Sequence, residues 1–390
     1  MLGDRSAFHD LQYDVYFNHA SISPLSTRVR ESIVQSANDW ARRGASAWMD
    51  HRAQRDSLRT RIAGMIGGRA DEIGLVPSTS QGLVDLALGV PWERGDRVVL
   101  FDGEFPANVT PWQRAAALFG LEVTMLPVGA FVDDSGVARL RQELERRPAR
   151  LVAVSAVQFQ TGLRMPLAEI GAVAHAHGAE VSVDAIQAIG AVPVDVGALP
   201  IDYLVAGSHK WLMGPEGAGF VWVHPSRIDA LRPTVASWMS HEDATEFLFG
   251  GMGHLRYDRP IRHRADFLEI GAQNSIGFVG LETAIRDLEA IGVPAIHRHV
   301  NEILDELEPQ LVELGFRSER SADPNRRSTI LALVPPPELD LRATFDALMA
   351  NRIGCAIPDG RLRFSPHWPN DAAQSQPIVR VLRELVAKGR

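Results

Sequence analysis

The stretch that most restricts the fold lies between residues 73 and 223. Short apolar runs recur there, at 73–76, 97–101, 122–126, 151–157, 180–183, 203–206 and 219–223. Amphipathic helical spacing fills 83–88, 109–119, 136–147 and 167–177 between them. Continuous Val/Leu runs suit strands buried on both faces, and helical connections suit parallel pairing. The expectation is an α/β domain spanning about residues 70–260, a mainly parallel sheet flanked by helices.

The flanks read differently. Residues 27–67 carry helical spacing at Val29, Ile33, Val34, Ala37 and Trp40, then Leu58, Ile62 and Ile66. Beyond Gly280 the pattern predicts helices at 281–291, 294–314, 342–351 and 378–387, with short strands at 328–334, 353–357 and 362–365. This reads as a smaller α+β C-terminal domain. The expected division is an irregular N-terminal segment, 1–26, packing on the small domain; a large domain, 27–275; and the small domain, 276–390. Net charge is −8 with no basic block, which argues against nucleic acid or a membrane surface as partner. No apolar run is long enough to span a bilayer, and no signal peptide is apparent. The single cysteine, Cys355, excludes an internal disulfide and suits a reducing, cytoplasmic setting.

Of 40 Lys and Arg residues only two are lysines, Lys210 and Lys388. Lys388 stands in the C-terminal tail. Lys210 stands mid-chain in Gly207-Ser208-His209-Lys210-Trp211. A desolvated lysine can shed its proton and form a Schiff base with a carbonyl, which arginine cannot.

Around it the sequence offers partners. Val181-Ser182-Val183-Asp184 delivers a carboxylate at the end of a buried strand, the edge where open α/β sheets bind ligands. Asp184 can pair with a protonated pyridine nitrogen or cap the next helix, and Gln187 can bond a ring oxygen. Ser78-Thr79-Ser80-Gln81-Gly82 opens a helix and can bind an anion through hydroxyls and free N–H groups. Phe105 can stack on a flat ring or belong to the core. Arg361 and Arg363 share strand parity, and either can clamp a carboxylate. Together these are the parts needed to hold pyridoxal 5′-phosphate (PLP) and present an amino acid to it.

At this point the chain resembles the fold-type I PLP enzymes of the class V aminotransferase group, which includes cysteine desulfurases, isopenicillin-N-epimerase-like proteins, kynureninases and cysteine C–S lyases. The resemblance rests on Val183-Asp184-Ala185-Ile186-Gln187 followed by Ser208-His209-Lys210-Trp211 and runs over about residues 14–388. It implies that Lys210 carries the cofactor, Asp184 pairs with the ring nitrogen and Gln187 meets the phenolic oxygen. It implies a phosphate site of Thr79, Ser80, Ser208 and His209, with Phe105 stacked on the ring. Arg363 is the implied substrate-carboxylate residue, and Asn18 joins it on the substrate side. The segment Glu269-Ile270-Gly271-Ala272-Gln273-Asn274 matches one that crosses to a partner subunit's phosphate, which implies a homodimer with Ala272 and Gln273 in the shared site.

Several positions depart from the group's pattern. Gly207 and Ala272 lack hydroxyls usual there. Phe105 stands where desulfurases stack a histidine, and an asparagine often found at the ring oxygen is replaced near Gln158-Phe159. Cys355 is eight residues before Arg363, inside an expected strand rather than on a long loop. The resulting order of activities at Cα is aminotransferase first, cysteine or cysteine-conjugate C–S lyase next, then epimerase, with persulfide-forming desulfurase last.

Overall fold

The computed structural model describes residues 2–389. Its strands are β1 (Val15–Tyr16), β2 (Ile73–Val76), β3 (Arg97–Asp102), β4 (Glu122–Pro127), β5 (Leu151–Ser155), β6 (Glu180–Asp184), β7 (Tyr203–Gly207), β8 (Gly219–Val223), β9 (Arg317–Ser318), β10 (Leu331–Val334), β11 (Ile353–Gly354) and β12 (Leu362–Phe364). Seven of them form the main sheet in the order β2-β8-β7-β6-β5-β3-β4. Pairing is parallel from β7 through β4, whereas β8 runs antiparallel to both β7 and β2. The sheet is therefore mainly parallel, as expected, with one reversed strand. β8 is reversed because the turn from Ser208 to Ala218 brings the chain straight back without a helix to cross over.

Alternate residues of each strand enter opposite cores. Phe101, Val154, Val183, Leu204 and Phe220 pack on one face, and Leu100, Ala153, Val205 and Val221 on the other. The helix Thr79–Gly89 lies close on this second face, where a Cβ added at Gly82 would stand 2.7 Å from Val205 and Val221. That close approach sets the helix N-terminus at the sheet edge.

The expected helical stretch at 27–67 is two helices, Thr27–Arg43 and Trp48–Ile66, parted where Gly44 takes a φ of 52°. Past Ser275 come the helices Ser275–Ile291 and Val293–Glu313, the sheet β12-β10-β9, and the closing helix Ser375–Gly389. The expected strand at 353–357 shrinks to β11: the ladder with the two-residue β1 covers only Ile353 and Gly354, and beyond it Ala356 makes an isolated antiparallel bridge to Arg363. The N-terminal segment is tied down rather than loose: β1 pairs parallel with β11, and Asn18 bridges Ser365. No helix among the described residues is long and apolar enough to cross a membrane.

Candidate active site

Parallel strands end at one edge of the sheet, and the singled-out residues gather there. Asp184 closes β6 and is buried. One of its oxygens accepts the Ile186 N–H at 3.0 Å, and no described side chain hydrogen-bonds or ion-pairs with it. Burial pushes its carboxyl up to about 7, and the charge of Glu104 adds to the rise while Lys210 opposes it. A cation placed against Asp184 would hold it ionised. A protonated pyridine nitrogen is such a cation.

Lys210 follows β7. Burial lowers its ammonium to about 8, against the pull of Asp184, and Arg363 lowers it further. Its Nζ lies 5.4 Å from the centre of the Phe105 ring, which in turn meets Phe159 edge-on at 5.3 Å. Phe105 thus belongs to the site wall and not to the core, with 45% of its surface exposed.

The anion-binding corner is built from the first turn of the helix Thr79–Gly89. Ser78 caps it by accepting the Gln81 N–H. Among the described residues the buried Thr79 hydroxyl has no hydrogen-bond partner. A Cβ built on Gly207 would lie 3.0 Å from Thr79 Oγ1 and 3.5 Å from His209 Nδ1, so the bare glycine leaves open a cradle lined by both. Burial, and then the Lys210 charge, lower His209 below its ordinary value and keep it neutral. Ser80 is exposed on the next helical position. The unpaired hydroxyl, the cradle and the helix N-terminus suit the phosphate of PLP.

One assignment changes. Ser208 is fully buried and spends its only O–H on the Pro215 carbonyl, so it has no donor left for a phosphate. Gln187 is anchored beneath the lysine loop: its amide donates to Ala20 O at 3.0 Å and accepts from Trp211 Nε1 at 2.8 Å. One N–H of Gln187 remains for a ring oxygen.

The two arginines separate clearly. Arg361 is neutralised by Glu319 and Asp359. Arg363 is 4% exposed, and among the described residues no carboxylate pairs with it. It donates to Phe159 O at 2.6 Å and to Ser21 Oγ at 2.8 Å, and its buried Nε has no partner among the described residues. Burial drives it down to about 10. A buried guanidinium with no carboxylate partner among the described residues suits a carboxylate ligand. Asn18 bridges Ser365, two residues on from Arg363, and its buried Oδ1 also lacks a partner among the described residues.

Ala272 and Gln273 are not brought into this cluster. Ala272 is exposed, the Gln273 side chain bonds Gly271 O, and among the described residues neither hydrogen-bonds to Lys210, Asp184 or Arg363. Cys355 lies just past β11, 3% exposed, with burial pushing its thiol up to about 12. It is a packed, protonated residue.

Two parts of the site, Asn18 apart, gave no signal in the sequence. Glu104, buried between the ends of β3 and β5, accepts from Ser155 N at 2.7 Å and Gln158 Nε2 at 3.0 Å. It places a second carboxyl behind Asp184. Residues 18–23 form a wall that touches the Lys210 loop, Gln187 and Arg363.

Comparison with known proteins agrees with this geometry. The family model for aminotransferase class-V matches residues 15–353. A probable cysteine desulfurase of Methanothermobacter thermautotrophicus is 28% identical over 402 residues, covering 97% of this chain and 96% of the relative. The uncharacterized aminotransferase YcbU of Bacillus subtilis is 26% identical over 388 residues, with 98% and 97% covered. Among solved structures, the cystine C–S lyase C-DES in complex with its product cysteine persulfide aligns with a TM-score of 0.86 at 24% identity, over 95% of this chain and 97% of that one. A variant of C-DES with glycine covalently linked to its PLP cofactor gives 0.88 at 24%, over 98% and 99%. At such identity these structures speak for the fold. With most of its length matched by the family model, the chain belongs to the aminotransferase class-V family.

Proposed function

We propose that this chain is a PLP-dependent enzyme that cleaves the Cβ–S bond of a cysteine-type amino acid by elimination. PLP is the cofactor of the family, and the residues present fit it: Thr79, Ser80 and His209 for the phosphate, Asp184 for the ring nitrogen, Lys210 for the covalent link and Phe105 for the ring face. When bound, PLP supplies a sink for the electron pair left at Cα. The rest is done by side chains. Arg363 binds the substrate carboxylate and orients the Cα–H bond. Lys210, displaced by the substrate amine, takes the α-proton; its ammonium, lowered to about 8, leaves a useful fraction of free amine near neutral pH. Asp184 holds a proton at the ring nitrogen. The Cβ–S bond then breaks with its electron pair leaving on sulfur. With one water consumed, the products are pyruvate, ammonia and a thiol.

The observation that carries the choice within the family is Cys355. A persulfide-forming desulfurase needs a mobile thiolate that reaches the substrate sulfur. Here the one cysteine is buried and its thiol pushed up to about 12. Relatives named for chemistry at a C–S bond support elimination over transamination. Transamination, first in order on sequence alone, is the second reading: it needs the same residues, and YcbU carries that name. Exposed Ala272 in the crossing segment supports a homodimer with shared sites.

The test is product analysis of the PLP-loaded protein with L-cystine and S-substituted L-cysteines, with and without an α-keto acid. Elimination yields pyruvate and a thiol or persulfide without the keto acid. Turnover that depends wholly on a keto acid acceptor overturns elimination in favour of transamination.

A further inference from the structure

Residues 18–23 touch the Lys210 loop, Gln187 and Arg363. Their main chain is pinned from several sides: Ala20 N donates to Ser365 Oγ at 3.1 Å, Ala20 O accepts from Gln187 Nε2, and Ile22 O accepts from the Tyr16 hydroxyl at 2.6 Å. Two serines in this stretch make the decisive contacts. Ser21 Oγ accepts from Arg363 Nη2 at 2.8 Å. Ser23 N donates to His209 O at 2.8 Å, and Ser23 Oγ donates to Lys210 O at 2.5 Å.

The direction of each bond follows from donor counting. The single Ser23 hydrogen goes to the Lys210 carbonyl, so His19 Nδ1, 2.7 Å from Ser23 Oγ, must be the donor there. His19 is buried and neutral, which fixes its one N–H on Nδ1. A relay from His19 through Ser23 to the lysine main chain results. His367 holds the next carbonyl in the same way: its Nδ1 accepts the Trp368 N–H, and its Nε2 donates to Trp211 O at 2.9 Å. At the other end, Ser21 and Phe159 O occupy two of the five guanidinium donors of Arg363 and fix its plane, leaving three for a ligand.

We propose that Ser21 and Ser23 are positioning residues of the reaction, Ser21 for the Arg363 guanidinium and Ser23 for the main chain at Lys210. Because one residue separates them, carboxylate binding at Arg363 bears on the placement of the lysine. This rests on the PLP reading above and adds to it a mechanical link between the carboxylate receptor and the lysine.

The experiment compares Ser21→Ala, Ser23→Ala, the double variant, and Ser21→Thr and Ser23→Thr, which restore a hydroxyl. Two readouts need no turnover. One is the affinity of the holoenzyme for glycine, which has a carboxylate but no Cβ to lose a leaving group, taken from the change in visible absorbance. The other is the rate at which apo-protein captures PLP into a borohydride-reducible bond. Ser21→Ala should weaken amino-acid affinity about tenfold, the size of one hydrogen bond to a charged group, and leave capture within about twofold. Ser23→Ala should slow capture about tenfold. In amino-acid affinity, where the link lets Ser23→Ala cost about fivefold by itself, the double variant should fall short of the product of the single effects by about threefold, and the threonine variants should recover most of each loss. Strictly multiplicative effects, or alanine variants within about twofold of wild type in both readouts, overturn the proposal. So do threonine variants as impaired as the alanines, which would point to general loosening. A wild-type chain that captures no PLP overturns the cofactor reading itself and this proposal with it.

Discussion

Arg363 is held at a cost to the fold, and that can be measured. Burial that drives its pKa to about 10 disfavours the charge by about 3 kcal/mol. Its two hydrogen bonds, to Phe159 O and Ser21 Oγ, return roughly 1.5 kcal/mol each at the low end for charged groups. The two contributions nearly cancel. Arg363→Met, similar in reach and apolar, should therefore change folding stability by less than about 2 kcal/mol in urea unfolding of the apo-protein. Losing a buried charge-assisted contact to the substrate carboxylate typically costs about 2–5 kcal/mol. Amino-acid affinity should accordingly fall from about 30-fold to several thousand-fold by spectral titration, at about 1.4 kcal/mol per tenfold. PLP affinity should hardly move. A variant that loses more than about 4 kcal/mol of stability while keeping its amino-acid affinity would refute the assignment and make Arg363 a structural residue.

Asp184→Asn should reveal the strain at the ring-nitrogen position. With its folded pKa raised to about 7, Asp184 favours the fold in its protonated form, and that contribution is lost as pH rises from about 4 through about 7. Apo Asp184→Asn should match wild type near pH 4 and exceed its stability above pH 7, while turnover collapses; equal stability at both pH values would contradict this. Cys355→Ser should leave turnover within about twofold and lower stability by about 1–2 kcal/mol through a buried hydroxyl, whereas loss of all sulfur release would reinstate persulfide chemistry. Glu104→Gln removes a carboxyl behind Asp184, and a nearby negative charge favours protonated cations. The pH at which the visible band of the holoenzyme titrates should move downward, and an unmoved titration would mean that Glu104 carries no charge there.

The sheet was legible because each buried strand is a continuous apolar run, and Asp184 and Lys210 because each follows such a run directly. Lys210 also stood out through near absence of lysine elsewhere. The reversal of β8 was not legible, since strand composition does not encode direction. Nor could parity separate Arg361 from Arg363; what separates them is Glu319, distant in sequence, which neutralises only the first. The turn of the Ser208 hydroxyl back to Pro215 was not legible either, since it depends on the path of the chain from 208 to 218. Residues 18–23 have no periodicity, and their few local bonds, such as His19 to Ser23, do not reveal a site. Their role comes from contacts with Lys210 and Arg363, which lie about 190 to 340 positions away in the chain.

The central claim, that Lys210 binds the cofactor covalently, meets an unusually simple test because the chain has only one other lysine, Lys388. The PLP-loaded protein is reduced with borohydride, digested and mapped by mass spectrometry. The account predicts a pyridoxyl group on the peptide bearing Lys210 and an unmodified Lys388; label on Lys388, or no label on either, would contradict it.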